Sequence, residues 1–235
     1  RLIMGMLADA RVLLALARGA GTGGSHAERL ARFYGPQASD YDRFRERLLH
    51  GRRDLVEALP VTAGARVVEL GGGTGRNVEF FGDRLPRIGC VRVVDLCEPL
   101  LAGARRRFAD HPNVCCALAD ATRWQPDGPV DCVYFSYALT MIPDWRAAID
   151  NAIAMLAPEG VLGVVDFHVA PEHGWPTRAF WPRWFAHDGV NLSAEHLPYL
   201  QAQLQQLRVE QRRAPVPYLP GPTVPYYVFV GRKRA

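Results

Sequence analysis

The run Val67-Val-Glu-Leu-Gly-Gly-Gly-Thr-Gly75 concentrates the chemistry of this sequence. Glycines at 71, 73 and 75 let the backbone turn tightly and approach a ligand, and a helix starting just behind them points unpaired N–H groups at it. A dinucleotide fingerprint G-x-G-x-x-G would need glycine at position 76, where Arg76 stands, and a phosphate loop would need G-K-[ST]. What remains is E-x-G-x-G-x-G, with Glu69 two residues ahead of the first glycine. Asp95 closes the run Val91-Arg-Val-Val-Asp95, and a carboxylate at that point can accept hydrogen bonds from both hydroxyls of a ribose. Asp120, within Ala117-Leu-Ala-Asp-Ala121, is placed to take the amino group of an adenine. Loop and acids at successive strand ends point into one crevice, where open α/β sheets bind ligands.

The surrounding pattern supplies the elements that would hold them there. Arg66–Leu70, Val91–Leu96, Val114–Ala119, Val130–Tyr137 and Val161–Phe167 read as short buried strands. Helices are predicted from Gly75 to about Leu85, over Pro99–Phe108, and from an Asp144 cap to Leu156. Strands alternating with helices predict an α/β fold with a Rossmann-like, mostly parallel sheet covered on both faces. Val209–Arg213 and Tyr226–Val230 suit an antiparallel addition at the sheet edge, behind a helix capped by Ser193 with Leu197, Leu200, Leu204 and Leu207 on one stripe. Upstream, a helix over 2–18 and a glycine linker over 19–24 precede a helix opened by the capping box Ser25/Glu28 and stopped at Gly35-Pro36, and a third runs to about Ala58. The expected organisation is an N-terminal helical arm or lid over residues 1–58 and one domain over 59–235, with an aromatic-rich insertion at 168–192.

Composition narrows the class. The chain has 235 residues, 49% hydrophobic and 22% charged, and a net charge of +4 carried almost wholly by arginine, Lys233 being its one lysine. These values exclude a disordered chain. No basic block argues for nucleic acid, and no apolar run reaches the ~18–20 residues that span a bilayer. Cys90, Cys97, Cys115, Cys116 and Cys132 are odd in number and without a C-x-x-C pair, so the expectation is buried thiols in a reducing cytoplasm and no metal site. No secretory signal is expected.

The ordered trio resembles the class I S-adenosylmethionine-dependent methyltransferases. That resemblance implies a seven-stranded sheet ending in an antiparallel strand, with S-adenosyl-L-methionine as cofactor. It implies a methionine-side cradle from Glu69, Gly71, Gly73 and Gly75, a ribose ligand in Asp95 with Leu96 beside it, and an adenine edge from Asp120 and Ala121. Ser136, expected against the cofactor, and Tyr137 follow the fourth strand, where this superfamily places acceptor-facing residues. A closer resemblance is to the methyltransferase half of the betaine-lipid synthases. It is carried by His26-Ala-Glu-Arg-Leu30, Phe33-Tyr-Gly-Pro-Gln-Ala38, Tyr41-Asp-Arg-Phe-Arg-Glu-Arg-Leu-Leu-His-Gly-Arg52, Val94-Asp-Leu-Cys97, Phe135-Ser-Tyr-Ala-Leu-Thr-Met-Ile-Pro143, Val165-Asp-Phe167 and Pro225-Tyr-Tyr-Val-Phe-Val-Gly231. It implies trimethylation of the amine of diacylglyceryl-homoserine. A separate aminocarboxypropyl transferase is then expected as the partner that makes the acceptor.

The residues are consistent with that chemistry. Methyl transfer to an amine is an in-line displacement in which alignment dominates. An α-amine with a pKa near ~8 must first lose a proton. Tyr137, Asp166 and His168, at ends of adjacent strands, are alternatives to accept it. Aromatic faces hold the growing cation, with Tyr34, Tyr41 and Tyr137 first and Trp181 and Trp184 behind them. Arg45 or Arg52 could pair with the acceptor's carboxylate. Leu2–Leu16 and the tryptophan-rich 175–185 stretch either lie in a lipid headgroup layer at the inner membrane surface or close over the cofactor as a lid. Phosphatidylethanolamine or a soluble amine are alternative acceptors, and a non-catalytic cofactor-binding partner of a lipid-headgroup enzyme is the alternative outside catalysis.

Overall fold

The structure, a computed structural model, describes residues 25, 27, 28, 30, 32, 46–186, 189–216 and 221–234. The expected helix over 2–18 and linker over 19–24 lie outside the described residues, as do Tyr34, Tyr41 and Arg45. Ser25 and Glu28 form the reciprocal capping box, Glu28 N donating to Ser25 Oγ (3.2 Å) and Ser25 N to Glu28 Oε2 (2.8 Å).

Seven strands form one sheet in the order β3-β2-β1-β4-β5-β7-β6. They are β1 (Arg66–Leu70), β2 (Cys90–Asp95), β3 (Val114–Leu118), β4 (Val130–Ser136), β5 (Leu156–Phe167), β6 (Leu204–Pro215) and β7 (Thr223–Lys233). β1 to β5 pair in parallel, whereas β7 runs antiparallel to both β5 and β6. The order reverses at β1, so the connections leaving β1 and β4 diverge and open a crevice above their carboxyl ends. Val67 and Tyr134 pack into one apolar layer with Leu55, Leu59 and Phe81, while Val68, Leu70 and Phe135 pack into the other with Ile149, Leu200 and Phe229. This period-two division of adjacent residues fixes the strand register.

The helices are α1 (Arg52–Ala58), α2 (Glu98–Arg107), α3 (Trp145–Met155), α4 (Trp175–Ala186) and α5 (His196–Gln203). Asp144 caps α3 as expected, accepting Ala147 N. Four expectations change. The helix expected to run to about Ala58 is interrupted over 49–51, where Gly51 takes a left-handed φ of 77°, and resumes as α1. The segment behind Gly75 is a 3₁₀ helix over Arg76–Arg87, broken at Gly82 (φ 52°) and carrying Pro86, because glycine and proline both disfavour a continuous α-helix. The leucine stripe is cut at Gln203: Leu204 and Leu207 belong to β6, where pairing with β7 outweighs helical periodicity. The aromatic stretch, unassigned from the pattern, contains α4.

Candidate active site

The glycine loop sits where β1 must turn. Gly71, Gly73 and Gly75 have φ of 70°, 54° and 69°, a region that disfavours side chains. Gly71 N and Gly72 N both donate to Val94 O, which ties the loop to β2. A Cβ on Gly71 would fall 2.5 Å from Ala138 Cβ, so only bare backbone passes the β4 connection.

A cavity of about 330 Å³ opens over this loop, lined by Gly71, Gly73, Asp95, Leu96, Asp120, Ala121 and Tyr137 among others. Asp95 braces its floor, Oδ2 accepting Gly73 N (2.8 Å) and Oδ1 accepting Cys97 N (2.7 Å). With Leu96 N as a further backbone donor, the carboxylate still has acceptor capacity left toward the cavity. Burial raises the Asp95 pKa, opposed by the backbone donors of Cys97 and Gly73. Asp120 Oδ1 accepts from Thr122 N and Thr122 Oγ1, both at 2.8 Å, which fixes the strand-end turn and leaves Oδ2 outside it. The bare loop, Asp95 and Asp120 therefore share one cavity, large enough for a small ligand. S-adenosylmethionine fits these residues.

A smaller cavity of about 50 Å³ adjoins it, lined by Arg52, Gly72, Asn77, Ser136 and Tyr137. Arg52 is buried, donating Nε to Leu49 O (3.1 Å) and Nη1 to Asn77 Oδ1 (3.3 Å), and Asn77 Nδ2 donates to Glu69 Oε1 (2.6 Å). Glu69 is wholly buried and lines neither cavity, so it supports the cradle through Asn77 instead of forming its surface. Burial pushes its pKa up to about 7 against the Asn77 hydrogen bond. Ser136 Oγ is buried beside this cavity without a hydrogen-bond partner.

Tyr137 lines both cavities with a left-handed backbone (φ 53°), uncommon for a bulky residue. Its Oη donates to His50 O (2.7 Å) and its ring meets Phe167 edge-on at 4.7 Å. Burial raises the phenol's pKa well above its ordinary value, which rules it out as a base near neutrality. The other two expected proton acceptors line neither cavity. Asp166 is fully buried and accepts from Thr140 N (3.2 Å), Thr140 Oγ1 (2.8 Å) and Phe167 N (2.8 Å), with a pKa pushed up by burial to about 6. It is an anchor for the loop after β4. His168 lies buried behind β5 with Nε2 3.1 Å from Gln211 Oε1, its pKa lowered by burial and by His173.

Two expected aromatic ligands also lie elsewhere. Trp181 is core, packed on Phe185, and Trp184 points outward at 46% exposure. The sequence pattern does not mark Asn77 or Thr140, although both are buried in the structure. A polar residue on a first helical turn, or a threonine between apolar residues, carries no periodic signal of burial; Thr140 also accepts Asn191 N through its carbonyl (2.7 Å).

Residues 67–160 match the family model described as a methyltransferase domain. Over that stretch, about two fifths of its length, the chain is similar to methyltransferase domains. Solved methyltransferases of the same fold bind S-adenosyl-L-homocysteine or S-adenosyl-L-methionine. The chain is 34% identical over 125 residues to a trans-aconitate 2-methyltransferase of Variovorax paradoxus, covering 53% of this chain and 47% of that protein. It thus spans about half the length of such relatives. The methyltransferase in a Haloferax volcanii complex with the Trm112 methyltransferase activator superposes with a TM-score of 0.69 at 17% identity, covering 88% of this chain and 98% of that one. The N-methyltransferase NodS of Bradyrhizobium japonicum, bound to S-adenosyl-L-homocysteine, superposes with a TM-score of 0.59 at 20% identity, over 83% and 88% of the two chains. At such identities the likeness shows the fold. Among the described residues no helix is long and apolar enough to cross a membrane.

Proposed function

We propose that this protein is an N-methyltransferase that adds methyl groups from S-adenosylmethionine to a lipid amine, diacylglyceryl-homoserine, made by a separate aminocarboxypropyl transferase. The observation that carries the reading is Tyr137. Its strained backbone, its bond to His50 O and its packing on Phe167 fix a ring at the junction of the two cavities. A strained residue held by several contacts at a cleft is a candidate functional position. An aromatic face there stabilises a methylated ammonium by about 0.5–2 kcal/mol without competing as a nucleophile. Asp95 and Asp120 hold the ribose and adenine, Gly71 to Gly75 with Leu96, Ala121 and Ser136 enclose the cofactor, and Arg52 takes a carboxylate in the small cavity. With Asp166 and His168 outside the cavities, the amine gives its proton to solvent before attack. The protein works in the cytoplasm.

A carboxyl-methylating reading is favoured by the likeness to trans-aconitate 2-methyltransferase over 125 residues. Labelled S-adenosylmethionine separates the two when offered with diacylglyceryl-homoserine or with trans-aconitate. Successive methyl additions to the lipid support the proposal. A methyl ester on trans-aconitate with the lipid unchanged overturns it. Tyr137→Phe should keep most of the lipid activity and Tyr137→Ala should lose at least about tenfold; equal activity of the two would remove the ring from the mechanism.

A further inference from the structure

Helix α4 presents two aromatic faces. On the inner one Trp181 and Phe185 are buried, Phe185 stacks on Phe167 at 4.5 Å, and Phe167 meets Tyr137 at the cavity wall. On the outer one Phe180 and Trp184 are 45% and 46% exposed with their rings 5.5 Å apart, and Trp175 at the helix start is 75% exposed. Five large hydrophobic side chains are exposed among the described residues, and three of them belong to this helix. Between them stand Arg178 and Arg183, both exposed, and residues 175–186 include no Asp or Glu. Arg213 of β6 donates Nη2 to Thr177 Oγ1 (3.2 Å), which brings a third guanidinium beside the helix. Rings interleaved with arginines on a helix that has no carboxylate of its own match the interior edge and the phosphates of a lipid headgroup layer. The exposed Glu172 stands just ahead of the helix, off its outer aromatic face in sequence. The same face on a second copy would set arginine against arginine.

We infer that α4 docks this protein on an anionic lipid surface, with Trp175, Phe180 and Trp184 entering the headgroup layer and Arg178, Arg183 and Arg213 facing lipid phosphates. The inner rings then connect the docked face to the cavity: Trp184, Phe180, Trp181, Phe185, Phe167 and Tyr137 form a continuous series with centroids 4.5–5.6 Å apart. The segment leaving α4 is joined to the cavity loop by Asn191 N on Thr140 O. A hydrophobic acceptor drawn from the bilayer would meet the side of the protein that backs onto Tyr137.

Flotation with vesicles tests this. The protein should float with phosphatidylcholine vesicles containing phosphatidylglycerol, float less as salt is raised, and stay behind with phosphatidylcholine alone. Phe180→Ser with Trp184→Ser should lower the bound fraction at least about tenfold, and Arg178→Gln with Arg183→Gln by about tenfold. S-adenosylhomocysteine affinity, measured by calorimetry, should stay unchanged in both and so report an intact fold. If the serine pair unfolds, the arginine pair decides alone. Failure of the unaltered protein to float with the anionic vesicles overturns the inference, as does flotation that the folded variants leave unchanged. So does a dimer in light scattering that the serine pair dissolves, because a second copy would then cover the face. The outcome is independent of the acceptor: a protein that floats yet methylates only soluble compounds keeps this surface and loses the lipid-amine reading.

Discussion

Asp95 accepts hydrogen bonds from Gly73 N and Cys97 N while facing the cavity, so it shapes the glycine loop and, in the proposed reading, also holds the ribose. Asp95→Ala should weaken S-adenosylhomocysteine binding by on the order of 2–3 kcal/mol, the worth of charge-assisted hydrogen bonds; a calorimetric loss under about threefold would place the ribose elsewhere. Glu69 behaves differently because it is buried beneath the loop. Its folded pKa of about 7 lies above the ordinary 4.5, so the folded state binds its proton more tightly than the unfolded chain. The stability it contributes is complete below about pH 4.5 and is lost as pH rises through about 7. Glu69→Gln keeps an acceptor for Asn77 and removes that loss. The variant should be more stable than the parent at pH 8 by on the order of 2–3 kcal/mol, with the difference vanishing toward pH 4 in thermal unfolding. A difference independent of pH would contradict the assignment of a buried, proton-binding Glu69. Both acids were legible from their spacing to the glycines. Which one lines the cavity was not, since strand-end geometry decides it.

Among the elements, the loop after β4 owes its shape to β5. Asp166 holds Thr140 through both its backbone N–H and its hydroxyl, and Thr140 in turn accepts Asn191 N. Thr140→Val removes the hydroxyl donor from a buried carboxylate and should destabilise the protein by about 1–3 kcal/mol. An unchanged melting temperature would mean that the carboxylate is satisfied without it. The alternating strands and helices were readable because apolar runs and turn residues alternate along the chain. α4 was not, because Pro176 and Pro182 interrupt its pattern and its aromatic faces pack inward and outward together. The boundary between α5 and β6 escaped for the opposite reason: leucines at helical spacing continue past Gln203 into a strand that β7 recruits.

For the whole molecule, the reversal of strand order at β1 brings four connections to one rim, and all the lining of the main cavity except Leu30, which comes from the N-terminal segment, follows from that topology. Neither Asp166 nor His168 reaches the cavity, and the phenol of Tyr137 is held protonated. The methylation rate at limiting acceptor should therefore rise with pH through the amine's own pKa near ~8 and then level. A profile already flat from pH 6 would reveal a base within the protein. The central claim is that this rim holds an adenosyl sulfonium through bare backbone and two acids. Titration calorimetry of the purified protein with S-adenosylhomocysteine tests it most directly: saturable binding to a single site, weakened by Asp95→Ala, is predicted, and absence of binding by the unaltered protein would contradict it.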